Sequence, residues 1–207
     1  MHAPVAALVF ATSLLVTSCG GGGTPASVSV TLGATPALTG YGSAQGDFFS
    51  TNEDLFIGDL ISSLFGEEGI RGFVSFDLGP IPSGARVLSA TLRLTQIAVG
   101  NPPYPSLGAI LVDQTEYGPV LDPGAYGRSF PSNQGFATLS TDATLGPKSA
   151  DVTVAVQLDR AELRTQSQFR LRFTVETNGN GVGDQAVFGE ADPASNEQPV
   201  LIVTYQP

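Results

Sequence analysis

The sequence predicts an all-β protein: an antiparallel β-sandwich of jelly-roll type with at most one or two short helical turns. Apolar and polar residues alternate with a period of two through run after run, as half-buried strands require. The chain holds 25 Gly and 15 Pro in 207 residues with only 14% charged residues, a composition of many turns and few surface charges. No stretch keeps helical spacing for three turns. Strands with one apolar face each need a second sheet to cover them, so a sandwich is the economical arrangement.

The elements follow in chain order. Residues 5–16 (VAALVFATSLLV) form an apolar run of twelve. That is too short for the roughly twenty residues that span a bilayer, and it fits the h-region of a secretory signal peptide. Val16-Thr17-Ser18-Cys19 resembles the bacterial lipobox, in which cleavage before the cysteine leaves it to receive diacylglycerol. On that resemblance residues 1–18 are a leader and Cys19 is lipidated. Residues 19–27, with glycine at every position from 20 to 23, are a flexible tether. Gly20 in place of Asp favours the outer membrane by the sorting habit of such signals. Residues 28–207 then form one domain at the outer membrane or cell surface, touching the membrane through lipid only.

Within that domain residues 28–32 read as the first strand and 200–205 as the last. Four sets of alternating apolar residues mark further strands: Val74, Phe76 and Leu78; Leu88, Ala90, Leu92 and Leu94; Val152, Val154 and Val156; Phe169, Leu171, Phe173 and Val175. Residues 108–112 and 186–188 are shorter strands. Pro- and Gly-rich segments such as 79–84, 101–103, 122–124 and 178–181 separate the runs. The best helical candidates are residues 59–65 and 159–164. Part of the apolar stretch 55–65 is a strand, and residues 60–65 are expected to pack as a helical turn over a sandwich edge. Contact with a partner or membrane is the alternative for that patch.

Several segments together resemble DNRLRE-domain proteins. Arg71-Gly72-Phe73-Val74-Ser75-Phe76-Asp77-Leu78, then Ile81-Pro82-Ser83-Gly84-Ala85 and Ser89-Ala90-Thr91-Leu92-Arg93-Leu94, is similar to the core "RG.L.FDL..IP.GA.V.SATLRL" of that family. Residues 52–58 (NEDLFIG) resemble its "N..L.VG" strand. Asp151-Val152-Thr153 with Val156-Gln157 resembles its "DVT.LVQ", and residues 198–205 (QPVLIVTY) resemble its "RP.L.VTY" ending. The resemblance covers residues 47–205 in order. It implies a jelly-roll-like sandwich on a secreted or surface-attached protein, related to alginate-binding carbohydrate-binding modules. The literal DNRLRE string and the "W....TW" segment of many members are absent, and the chain has no Trp. Arg71 and Asp77 of the core motif are about 20 Å apart on an extended strand, so each is expected to brace a different turn or strand.

The chemistry is bounded by what the chain lacks. Nine Lys+Arg against nineteen Asp+Glu give a net charge of −10, which argues against nucleic acid as a partner. The one His is His2 and the one Cys is Cys19. A chain cut before Cys19 therefore has no His-dependent triad and no Cys/His zinc site. The expectation is a protein without catalytic activity that requires no cofactor. Loop oxygens suit structural calcium, with Asn52 and Asp54, and Asp184, Glu190 and Asp192, as ligand candidates.

For a polysaccharide, Tyr104, Tyr117 and Tyr126 in the Gly/Pro-rich middle, with Phe130, offer stacking faces. The competing reading is that these rings cap a satellite core beneath long loops. Arg93, Arg170 and Arg172, expected on outward strand faces, are candidates to grip an acidic glycan, or else to pair with acids across strands. The expected function is a non-catalytic, carbohydrate-binding-like module on an envelope lipoprotein. Its rival is a structural or adhesive envelope domain. A polysaccharide-active enzyme would need two facing loop carboxylates in a cleft.

Overall fold

A computed structural model describes residues 26–46, 49–128 and 133–207. The leader, Cys19, the tether up to residue 25, Asp47 and Phe130 lie outside the described residues. The order is β1 Val28–Gly33, β2 Gly40–Ser43, β3 Phe49–Thr51, β4 Leu55–Ser62, β5 Gly66–Asp77 and β6 Arg86–Gly100. It continues with α1 Pro103–Leu107, β7 Ile110–Thr115, β8 Ala137–Ser140, β9 Gly146–Asp151, α2 Thr153–Ala161, β10 Gln166–Phe173, β11 Gln185–Phe188 and β12 Val200–Gln206. Every strand pair is antiparallel, and the fold is an all-β sandwich.

Hydrogen bonds run through the strands in the order β1-β12-β6-β11-β4-β5-β10-β7-β8, with β9 on β6, β2 on β5 and β3 on β2. Ala34, just beyond β1, bridges Phe76 of β5. The sheet thus folds back on itself, β1 meeting β5, and its strands form two layers. Between them lies the main core, which includes Leu55, Ile57, Val74, Phe76, Leu92, Leu94, Phe169, Leu171, Phe188, Leu201 and Val203, all buried. The period-two pattern is the cause: Leu201, Val203 and Tyr205 of β12 face in while Val200, Ile202 and Thr204 face partly out.

Leu88 departs from the pattern. The pairing of β12 with β6 slips between Thr204 and Tyr205, so that Thr204 faces Ser89 but Tyr205 faces Val87. The extra residue turns Leu88 outward, 38% exposed, and puts Val87 into the core instead.

Two expected elements are corrected. Residues 152–156 are not a strand: Val152 precedes α2 and Val156 lies within it. Val152 and Val156, four apart, are buried on one side while Val154 is 67% exposed on the other. The Asp151 carboxylate accepts the N–H of Thr153 at 2.9 Å and so fixes the start of the helix. The 159–164 expectation catches only the end of α2.

Residues 59–65 are not helical and do not pack over an edge. They complete β4 and the turn into β5, where Ser62 Oγ accepts the N–H groups of Leu64 and Phe65, both at 3.2 Å. Leu64 and Phe65 are exposed at that tip.

Candidate functional site: the arginine face of β5, β10 and β7

The outward faces of three adjacent strands bring the charged side chains together. Register places Arg170 opposite Phe73 on one side and Asp113 on the other, and Arg172 opposite Leu111. Arg71, two residues before Phe73, shares that face. Asp113 is fully buried and takes both arginines of β10. Arg170 donates from Nε (2.9 Å) and Nη2 (2.5 Å) to Asp113 Oδ2, and Arg172 donates from Nε to the same oxygen at 2.9 Å and from Nη2 to Oδ1 at 3.3 Å. The Gly135 N–H adds a further bond to Oδ1 at 2.5 Å. Burial works against the Asp113 charge, but the two guanidiniums outweigh it and hold the carboxyl below the usual carboxylate range.

Residues 116–128, following β7, fold back over this face. Arg170 Nη1 donates to the carbonyls of Tyr126 (2.8 Å) and Arg128 (3.0 Å), and Arg71 Nη1 donates to Tyr126 O as well. Gln168 Oε1 accepts the N–H groups of Tyr117 (2.9 Å) and Gly118 (3.0 Å) where the segment leaves the sheet. Arg71 lies 4.0 Å over the Tyr126 ring and pairs with Glu176, whose other oxygen accepts the Tyr126 hydroxyl. Burial and the neighbouring arginines lower the Arg71 pKa to about 10.

Neither a scan against protein-family models nor a search of curated proteins finds a match to this chain.

The tyrosines expected as sugar platforms divide. Tyr104 is buried in the main core, edge-on to Phe173, with its hydroxyl bonded to Gln96 and Ser140. Burial pushes its pKa up to about 12. Tyr117 is also buried and caps a satellite core with Leu38, Phe73, Leu121 and Ala125, its hydroxyl donating to Leu38 O at 2.7 Å. Neither ring offers a face to a sugar. The proline-rich context of Tyr104 starts the short helix α1, which turns the ring inward. Tyr126 is half-buried, with Arg71 over its ring.

The arginines divide too. Arg170 is not outward-facing in effect, because the overlying segment leaves it 3% exposed. Arg172 keeps 18% side-chain exposure. Arg93 is exposed on β6, opposite Val200 and Ser149 and four steps along the strand order from β10, so it does not join the others.

The five calcium candidates do not converge. Asn52 lies in the turn before β4 at φ 60°, and Asp54 follows it. Asp184 precedes β11, whereas Glu190 and Asp192 follow its far end. Asp192 Oδ1 accepts the Ala194 N–H at 2.9 Å within its own turn. Asp184 is a structural carboxylate: its Oδ2 accepts Ser106 Oγ, Asn178 Nδ2 and Asn180 Nδ2. Among the described residues no three His, Cys, Asp or Glu side chains converge on a metal position.

Asp113 was missed from sequence, as was the bracing of Tyr126 by Arg71. The available signal was an acid inside an otherwise apolar run, Ile110-Leu111-Val112-Asp113, which demands a buried cation as partner. Arg71 and Asp77 do brace different segments, as expected, Asp77 by accepting the Gly79 N–H at 2.8 Å.

Proposed function

We propose that this protein is a non-catalytic β-sandwich displayed from a bacterial envelope by lipid on Cys19, with a structural or adhesive role there. One observation carries the choice: the side chains best suited to grip a ligand are engaged by the fold itself. The Tyr104 and Tyr117 hydroxyls bond inside the two cores, and Arg170 is locked to Asp113 and to loop carbonyls. Two facing acids, Asp59 and Glu67, lie within hydrogen-bonding reach of each other with Asp59 fully buried. That is tighter than the roughly 5–10 Å a glycosidase pair needs around its substrate.

A second reading rests on charge. Arg71, Arg170 and Arg172 share one buried carboxylate and the partly exposed Glu176, so this face keeps an excess of positive charge in a protein of net charge −10. A uronate carboxylate could replace Glu176 on Arg71 and reach Arg172. This agrees with the resemblance to DNRLRE domains and their alginate-binding relatives.

The test uses the full chain purified from membranes in detergent, on an array of neutral and acidic polysaccharides with calcium and with chelator. Silence across the array, from a protein that melts cooperatively, supports the structural role. Binding that disappears in Arg172→Ala with an unchanged melting point would replace it with the glycan reading. Incorporation of labelled fatty acid, lost in Cys19→Ser, tests the anchor separately.

A further inference from the structure

Among the buried carboxyl oxygens that lack a donor, Asp59 Oδ2 sits where carboxyl groups fasten a loop. Asp59 in β4 is 0% exposed. Its N–H donates to Asp184 O at 2.9 Å, and its Oδ1 accepts the Asp184 N–H at 2.6 Å. Among the described residues Asp59 Oδ2 has no hydrogen-bond partner.

Glu67 of β5 lies diagonally across the β4–β5 ladder, in which Asp59 pairs Gly69 and Ile61 pairs Glu67. Its carboxyl is within hydrogen-bonding reach of the Asp59 carboxyl. Glu67 in turn accepts the N–H groups of Asn178 (2.8 Å), Gly179 (2.7 Å) and Gly181 (3.0 Å). Asp59 thus holds the far end of the loop 178–184 and Glu67 holds its beginning and middle.

Two interacting carboxyl groups, one of them fully buried, cannot both be ionised without strong repulsion. A single proton between them removes the repulsion and also gives the orphan Oδ2 its partner. We propose that Asp59 and Glu67 share one proton, and that this proton is a pH-operated latch on the loop 178–184. With the proton in place, the loop amides and the two side chains form one closed set of bonds. Without it, two adjacent negative charges, with Asp184 as a third nearby, push the loop from β4 and β5.

The other charged groups on this side are few. Asp184 belongs to the loop itself. Glu176 lies beside Gly69 on the same face of β5 and is already paired with Arg71. Glu68 points to the opposite face, where it accepts the Gln45 N–H. Asn101 and Ser106, which hold Gly183 and Asp184, are uncharged.

Burial, reinforced by Glu67 and Asp184, raises the Asp59 pKa to about 6. Partial burial opposes the Glu67 charge, but the amides of Gly181, Gly179 and Asn178 outweigh it and keep that carboxyl low. The proton therefore resides mainly on Asp59. A carboxyl whose folded pKa lies above its free value favours the closed state below the free value and loses that contribution as pH rises through about 6.

The test is hydrogen exchange of the amides of Asn178, Gly179, Gly181 and Asp184 in the full chain from pH 5 to pH 8. Rates are corrected for intrinsic exchange, and chelator is present so that only protons titrate. Protection is expected to fall by about tenfold across that range, while the amides of β10 change little. Asp59→Asn keeps the acceptor for Asp184 and adds a permanent donor toward Glu67. It should hold the loop closed at pH 8 as firmly as the unaltered protein does at pH 5. Glu67→Gln removes the neighbouring charge but leaves Asp59 buried, so it should make the profile shallower without abolishing it, and it serves if Asp59→Asn does not fold. Uniform protection of the loop from pH 5 to pH 8, or an unchanged pH profile in a folded variant, would overturn the latch.

Discussion

Asp113 shows how one residue sets the character of a face. Its single carboxylate is the shared acceptor for two guanidiniums on the face covered by an overlying segment. Removing one partner of a buried ion pair leaves the other charge without compensation, at a cost of about 3–5 kcal/mol. Asp113→Asn is therefore expected to lower unfolding free energy by about that much at pH 7, read from urea denaturation midpoints. The sign with pH follows from the depressed pKa. The Asp113 contribution is present above the free carboxyl value and is lost as pH falls through the folded value. The gap between the two proteins should narrow in acid; a constant gap would assign the loss to shape and not to charge. That Arg170 and Arg172 share one face was legible in the alternation Phe169-Arg170-Leu171-Arg172-Phe173. That the face is covered was not, because residues 116–128 have no strand or helical period to announce where they fold back.

The same limit separates the elements. Strands β1 and β12 were readable because each buries one face, so alternation and burial coincide; β5 and β10 carry the same alternation in sequence although both of their faces are covered. Val152, Val154 and Val156 gave the same signal falsely. Three valines at spacing two fit a strand, yet Val152 and Val156 alone also fit one side of a helix, and tertiary contact with β6 decides for the helix. There Thr153 Oγ1 accepts the Ala90 N–H at 2.9 Å, and Gln157 donates to Val87 O at 3.0 Å. The two readings differ in an observable way. In a strand all three valines would face inward, and Val154→Ala and Val156→Ala would cost alike. In α2 Val156→Ala removes buried methyl groups and should cost about 2 kcal/mol. Val154→Ala, on the exposed side and with better helix propensity, should stay within about 0.5 kcal/mol of the unaltered protein. Urea midpoints of the two variants measure the difference directly.

At the scale of the whole molecule, two strands join what would otherwise be separable parts. β6 pairs β12 and β9 along its first two-thirds and β11 along its end, so both layers depend on it. β5 directs Val74 and Phe76 into the main core and Phe73, from the other face, into the satellite core against Tyr117. A single strand with both faces packed cannot lose one core without loosening its grip on the other. The satellite core and the segment that forms it are therefore expected to unfold with the sandwich and not before it. The amides of Tyr117 and Gly118, both held by Gln168 of β10, report on the satellite side. Those of Phe169 and Leu171, in the ladders of β10, report on the main core. Native-state exchange in increasing denaturant should bring all four onto one unfolding isotherm of equal slope. A shallower isotherm for Tyr117 and Gly118 alone would mean that the arginine face opens while the sandwich stays folded. Arg170 and Asp113 would then be accessible to a ligand in a minor state, and the weight would move from the structural role toward the glycan reading.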